Sequence, residues 1–241
     1  MSLSASLVVL LVGLCCLVSF SVCETHRWTC CDTPESDFLA SCWSPSSSFD
    51  LTSDLVIDCD SANPLFIRVS SPIECKSLLI DSENLVLSFE SQFTAEKLKI
   101  SQGTLKSTLD DAFIFPIIEL ISLSMDGTLS SITLDSIKLF ATSSLKMIDS
   151  NVALISSVLE SSSSCQLSNT QLSLSQDSFL ATSLFTSIDE YSKIIQSHDS
   201  EISLMDKVEL NCEQSICLET IGGSVKLFEA DFELHGTSIK I

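Results

Sequence analysis

The stretch Leu78-Leu-Ile-Asp-Ser-Glu-Asn-Leu-Val-Leu87 decides the fold. Side chains alternate across a strand, so Leu78 and Ile80 share one face of an extended piece and Leu85 and Leu87 share one face of another. The Asp-Ser-Glu-Asn tetrapeptide between them is rich in residues that bend a chain by bonding their side chains to nearby backbone. Each apolar piece is too short for a helix, and period-two alternation in so short a piece marks a strand with one buried face. The same arrangement recurs at Leu145/Met147/Val152/Leu154, at Cys165/Leu167/Leu172/Leu174 and at Val225/Leu227/Phe232/Leu234, with a partial copy at Leu98/Ile100/Leu105. In a chain that is 45% hydrophobic, four specified positions match by chance at about 4% of starts. The spacing is what stands above that background. The steps from 78 to 98 and from 145 to 165 are each twenty residues, and the step from 165 to 225 is sixty, with Ile239 and Ile241 continuing in phase.

A period near twenty built of very short strands fits a parallel β-solenoid, in which each coil adds one rung to two or three sheets. One coil cannot bury its own apolar face, whereas stacked coils can. Further short clusters, such as Leu55-Val-Ile57, Leu65-Phe-Ile67, Ile132-Thr-Leu134 and Val208-Glu-Leu210, extend this texture over residues 55–241. With only 6 Gly and 5 Pro in 241 residues, hairpins are disfavoured, because they need positive-φ turns; corners between parallel rungs need only bends. Ser, about a fifth of the chain, suits such corners through side-chain to backbone hydrogen bonds.

The units Leu78 to Leu87 and Cys165-Gln-Leu-Ser-Asn-Thr-Gln-Leu-Ser-Leu174 resemble the strand-corner-strand units of right-handed parallel β-helix proteins, the pectin-lyase-like superfamily and its relatives among surface adhesins. The resemblance is one of texture and implies an all-β, right-handed parallel β-helix with coils of about twenty residues. A leucine-rich-repeat recognition module is the rival solenoid. It needs Asn at a fixed offset after Leu-x-Leu, and Asn84, Asn151 and Asn169 share no common offset.

Charge narrows the partners. With 12 Lys and Arg against 32 Asp and Glu, the net charge is −20, which argues against nucleic acid and anionic membrane surfaces, both of which are bound through clustered cations. Residues 1–23 carry no charged side chain and include a compact apolar run at 7–18, as expected of a secretory signal peptide. The alternative is an uncleaved anchor, since the uncharged run is just long enough to span a bilayer. Residues 24–54, rich in Cys, Ser, Pro and both Trp, then read as a loop-rich disulfide cap on the solenoid.

Removing the signal leaves eight cysteines, an even set as disulfides require. Cys30, Cys31, Cys42, Cys59, Cys75, Cys212 and Cys217 are disulfide candidates, with 212 and 217 a local pair. Cys165 stands alone at an apolar position of the repeat and reads either as a partner or as a buried thiol. A metal reading of His26, Cys30 and Cys31 is poor, because adjacent cysteines lack the Cys-x-x-Cys spacing of zinc sites. No cofactor or metal is expected.

Catalytic signals are thin. The enzymes of the β-helix superfamily use clustered Asp, or Asp-bound calcium with an Arg or Lys base, and only Asp110-Asp111 offers an adjacent pair. Neighbours on a strand point to opposite faces, whereas glycosidase carboxylates must face each other across a bond. Arg27 and Arg68, the two arginines, lie near the N-terminal end, and His235-Gly236 is a lone fragment. Asp54, Asp58 and Asp60 alternate on one strand, a pattern that suits either calcium or a solvated acidic face.

These observations predict a secreted or cell-surface solenoid with a structural, adhesive or ligand-presenting role and no catalysis, meeting a protein or carbohydrate ligand on its surface. The alternatives are a carbohydrate-active β-helix enzyme and the leucine-rich-repeat module. Membrane attachment is expected only through an uncleaved N-terminal segment or a missing C-terminal anchor. The apolar alternation at Ile239 and Ile241 leads us to expect a solenoid that continues beyond this chain.

Overall fold

The computed structural model describes residues 24–31, 35–38, 41–45, 49–60, 64–121, 129–189, 191–197, 199–212, 218–221, 224–236 and 239–240. They form a parallel β-solenoid with three sheets, and no helix occurs among them. The signal expected at 1–23 and the terminal Ile241 lie outside the described residues. Three strands per coil, rather than one strand backed by a helix, exclude the leucine-rich-repeat alternative.

The first face starts at Asp54–Asp58 and carries, rung upon rung, Leu55, Leu78, Leu98, Ile118, Leu145, Cys165, Thr186 and Val208 as stacked inward partners. Two residues further along each strand a second inward column runs through Ile57, Ile80, Ile100, Leu120, Met147, Leu167, Ile188 and Leu210. The second face stacks Leu65–Val69 beneath residues 85–89, and its inner column Ile67, Leu87, Leu105, Leu134, Leu154 and Leu174 ends at Gln196. Nearly all of these side chains are buried completely. Continuous apolar columns of this kind are what hold a solenoid together, since each rung is covered only by its two neighbours.

The units centred on 78, 145 and 165 all run from the first face to the second, as their common phase requires. The fourth does not. Val225 stacks on Ile202 in the third face and Phe232 on Val208 in the first, so Val225/Leu227/Phe232/Leu234 spans a different corner and the sixty-residue step is a coincidence of spacing. Insertions explain the slip. Along the first face the step is twenty from 78 to 98, 98 to 118 and 145 to 165, but it lengthens to 27 from 118 to 145 and to 21 and 22 at Thr186 and Val208.

The third face stacks Ile73 with Phe93, and Phe113 with Leu139, Leu159, Leu180 and Ile202. Its second inward position is mostly small or polar, with Cys75, Ala95, Ala141, Ser161 and Thr182, but Phe115 lies beneath Ala141 and Leu204 follows Thr182, both buried. The chain turns from this face into the first within a few residues, which crowds the corner; the Thr182 and Thr186 hydroxyls meet there at 2.5 Å.

Hydroxyls fill the other corners. Between the second and third faces Ser157 is buried, donates to Leu134 O at 2.9 Å and accepts from Ile137 N at 3.2 Å, tying successive coils. Between the first and second faces Thr170 N donates to the buried Ser192 hydroxyl at 3.0 Å. Asp149 and Asn169, one coil apart, both take left-handed φ values of 51° and 46°, a conformation Asn and Asp tolerate best, and Asn169 Nδ2 donates to Asp149 Oδ1 at 2.8 Å. High Leu and high Ser are thus the walls and corners of one repeat.

The N-terminal segment covers the end of the solenoid. Thr25–Trp28 lies parallel to Asp54–Asp58 and places fully buried His26 over Leu55, so an imidazole begins the apolar column. Pro45 O can only accept, so His26 Nδ1 donates to it, at 2.9 Å. Trp28, Phe38, Trp43 and Phe49 pack at ring separations of 5.0 to 6.4 Å, and Phe38 continues onto Phe93 of the third face. Cys30–Cys42 closes the segment on itself and Cys31–Cys59 fastens it to the first coil.

One cysteine corrects the disulfide expectation, and Cys165 takes the buried-thiol reading offered for it. Cys75, a disulfide candidate, is a free thiol because its side chain points into the core, stacked on Ala95. Cys165 is likewise free, stacked between Leu145 and Thr186. The proposed pair of Cys212 and Cys217 falls outside the described side chains.

Candidate functional site

Three places gather the residues that the sequence singled out. The first is an acidic groove on the edge between the first and second faces, about 310 Å³, lined by Asp58, Cys59, Asp60, Asp81, Glu83, Asn84 and Gln102. It exists because consecutive coils turn this corner with different lengths. Asp81 pairs with Gln102 and Val86 with Thr104, so residues 82–85 of one coil bulge over a shorter corner in the next. Gly103 makes the shorter corner possible. Its φ is +119°, and a Cβ there would lie 2.9 Å from Ser82 O and 3.3 Å from Leu85 O. The missing apolar residue in the partial copy Leu98/Ile100/Leu105 was the sequence signal for this corner; Asp81, Glu83 and Gln102 carried no signal of their own.

The calcium reading does not survive the geometry. Asp54 accepts from the Ser77 hydroxyl at 2.6 Å and lies 3.8 Å from Lys76 Nζ, while Asp58 lies 3.6 Å from an Arg27 nitrogen. Asp54 therefore stands apart from Asp58 and Asp60, and among the described residues no three His, Cys, Asp or Glu side chains are gathered closely enough to hold a metal. Cys30 and Cys31 are consumed in disulfides, which removes the thiolates that a zinc reading needs.

The second place is an open cleft of about 660 Å³ at the corner between the second and third faces, lined by Gln92, Phe93, Thr94, Leu109, Asp111, Ala112, Phe113 and Ile114. Asp111 borders it and Asp110 does not; Lys138 Nζ instead donates to the Asp110 carbonyl at 2.7 Å. The adjacent carboxylates thus do not converge on one bond, and no Arg borders the cleft. This is not the geometry of a glycosidase or lyase centre.

The third is the Asp189 corner. Partial burial raises the Asp189 pKa, but the Ser192 and Ser168 hydroxyls, at 2.6 and 2.7 Å, with the Asn169 and Tyr191 N–H groups outweigh it and hold the carboxyl below its usual range. Asp189 receives bonds from its own coil and from the coil beneath, so its charge serves the stack. At the N-terminal end the Thr52 hydroxyl and N–H likewise hold exposed Asp50 low. Burial pushes both free thiols up to about 12, which leaves Cys75 and Cys165 protonated and poor nucleophiles.

Outward charges also serve the stack. Lys97 pairs with Glu119 at 2.8 Å, Lys193 with Glu219 at 2.6 Å and Lys226 with Glu201 at 2.8 Å, each linking neighbouring coils, and Arg68 pairs with Glu35 of the N-terminal segment at 3.1 Å. No helix among the described residues is long and apolar enough to cross a membrane. Compared with protein-family models, with curated proteins and with solved structures, the chain matches none.

Proposed function

We propose that the chain is a secreted or cell-surface β-solenoid whose faces form a structural, adhesive or ligand-presenting surface, without catalysis of its own. The observation that carries this is the pair of disulfides that closes the N-terminal segment and fastens it to the first coil. Such bonds persist in oxidising compartments and are rare in the cytosol. The uncharged apolar run at 7–18 supplies the corresponding export signal. Kinship with the surface-adhesin branch of the pectin-lyase-like superfamily is part of the same reading and rests on the stacked strand-corner-strand units.

The surface chemistry agrees with presentation rather than turnover. Lys97, Lys193 and Lys226 are held in ion pairs between neighbouring rungs, and the open cleft, bordered by Asp111 alone among carboxylates, does not set two of them across a bond. The ligand class is protein or carbohydrate. Expression of the whole chain in a secretion-competent cell tests the compartment: the product is expected in the medium or on the surface, with oxidised Cys30, Cys31, Cys42 and Cys59. Retention inside the cell with reduced cysteines contradicts it. Release of shortened or unsaturated products from polygalacturonate by the purified protein would overturn the non-catalytic half.

A further inference from the structure

Two sequence features that the proposed function leaves unused meet at one place. The most apolar stretch after the N-terminal segment begins at Phe113, and the adjacent acidic pair is Asp110-Asp111; Phe113 and Asp111 border the cleft at the corner between the second and third faces. Phe113 turns inward and is buried, while Ile114, the next residue, is 57% exposed at the cleft wall. A single outward isoleucine is ordinary on a protein surface; Ile114 counts here through the cleft it borders and the apolar neighbours that join it.

The apolar surface continues along the third face. Ile114 has Phe140 as its direct neighbour on the next rung, where Glu160 follows it, and Val158 and Phe179 pair in the adjacent column after Lys138, all pointing outward. The rim is acidic. Asp111 borders the cleft beside Ile114, Glu160 follows Phe140 on the next rung, and Lys138, the nearby cation, donates to the Asp110 carbonyl. A cleft of about 660 Å³ with an apolar wall and few polar groups lies within the size range of binding sites.

We infer that this cleft and the strip beside it dock a polypeptide segment carrying apolar side chains flanked by Lys or Arg. The apolar residues cover Ile114 and Phe140, and the cations meet Asp111 and Glu160. An anionic or purely polar partner is disfavoured, the first by the rim and by the net charge of −20, the second because it leaves Ile114 and Phe140 facing water. The inference deepens the ligand-presenting reading by naming the ligand, and it is independent of where the protein resides.

The test uses the purified full chain and three synthetic peptides of equal length: alternating Lys and Phe, alternating Lys and Ser, and alternating Glu and Phe. Saturable binding of the Lys/Phe peptide is expected to be at least about tenfold tighter than that of either other peptide, and to weaken with salt. Ile114→Ser and Asp111→Asn, both at exposed positions and so compatible with folding, are each expected to weaken it about fivefold or more. Asp81→Asn in the acidic groove is the control and is expected to leave binding unchanged. Equal binding of the Lys/Ser peptide, or an equal loss with Asp81→Asn, overturns the inference in favour of diffuse attraction to an acidic protein. Equal binding of the Glu/Phe peptide overturns the acidic rim, and failure of secretion with binding intact leaves the docking surface standing.

Discussion

Replacing Gly103 by Ala puts the short corner to the test. The residue sits at φ +119°, and the added methyl would come within 2.9 Å of Ser82 O and 3.3 Å of Leu85 O, both backbone atoms of the coil beneath. Neither oxygen can swing away as a side chain would, because residues 82–85 form the bulged corner that the short one supports. The backbone conformation alone costs an L-residue about 1–3 kcal/mol, and forcing a methyl into a filled space costs a further 1–3 kcal/mol or so. A loss of about 2–6 kcal/mol is therefore expected, which for a chain of this size lowers the melting temperature by roughly 4–24 °C. Equilibrium urea unfolding followed by far-ultraviolet circular dichroism measures it. Thr104→Ala, one residue on and facing outward, is the control and should stay within about 0.5 kcal/mol of the parent. A Gly103→Ala protein as stable as that control would refute the close approach of these two coils.

Three other perturbations follow from the same geometry. Asp189→Asn removes a charged acceptor shared by two coils and should cost about 1–2 kcal/mol after allowance for its partial exposure. Because its folded pKa is lowered, that stabilisation is complete above the unfolded value near 4 and is lost as pH falls further, so parent and variant should converge in acid; a gap that widens in acid contradicts it. Cys75 and Cys165, with thiols pushed up to about 12, should resist a thiol-specific disulfide reagent in the native protein and react in urea, as peptide mapping would reveal. Rapid native labelling of either contradicts their burial. Replacing Cys31 and Cys59 together by Ser opens a loop of 28 residues and should cost about 3.5 kcal/mol in the chain-entropy treatment; unchanged unfolding would mean that this disulfide does not constrain the unfolded chain.

Much of the first and second faces was legible because Leu78/Ile80/Leu85/Leu87 and its copies at 145 and 165 place large apolar side chains at all four inward positions. The coil at Thr186/Ile188/Ile194/Gln196 escaped the pattern because two of its inward residues are polar: Thr186 bonds to Thr182, and the Gln196 amide nitrogen donates to the carbonyls of Ser200 and Ser224, while its Oε1 is buried without a partner. The third face escaped because four of its coils put Cys75, Ala95, Ala141 or Ser161 where the other faces have Leu or Ile, which hides the alternation there, while Phe115 and Leu204 keep it in other coils. Phase was lost between 118 and 145, where extra residues enter one coil, and the unit at Val225 then matched the pattern on the wrong corner. For the site, Asp111 was visible as a charge but the cleft was not, because it depends on which residues of successive coils fall side by side.

The stacking itself is open to a direct measurement. On the outer side of the second face Phe66, Val86, Thr104, Thr133, Ala153, Ser173 and Ile195 are successive register partners. Spin labels on cysteines placed at 66 and, in turn, at 133, 153, 173 and 195 span three, four, five and six rungs. With rungs about 4.8 Å apart, the distances should rise in equal steps, from about 14 Å to about 29 Å. Distances that fail to rise with residue number, or that step unevenly by a rung or more, would contradict an in-register parallel solenoid.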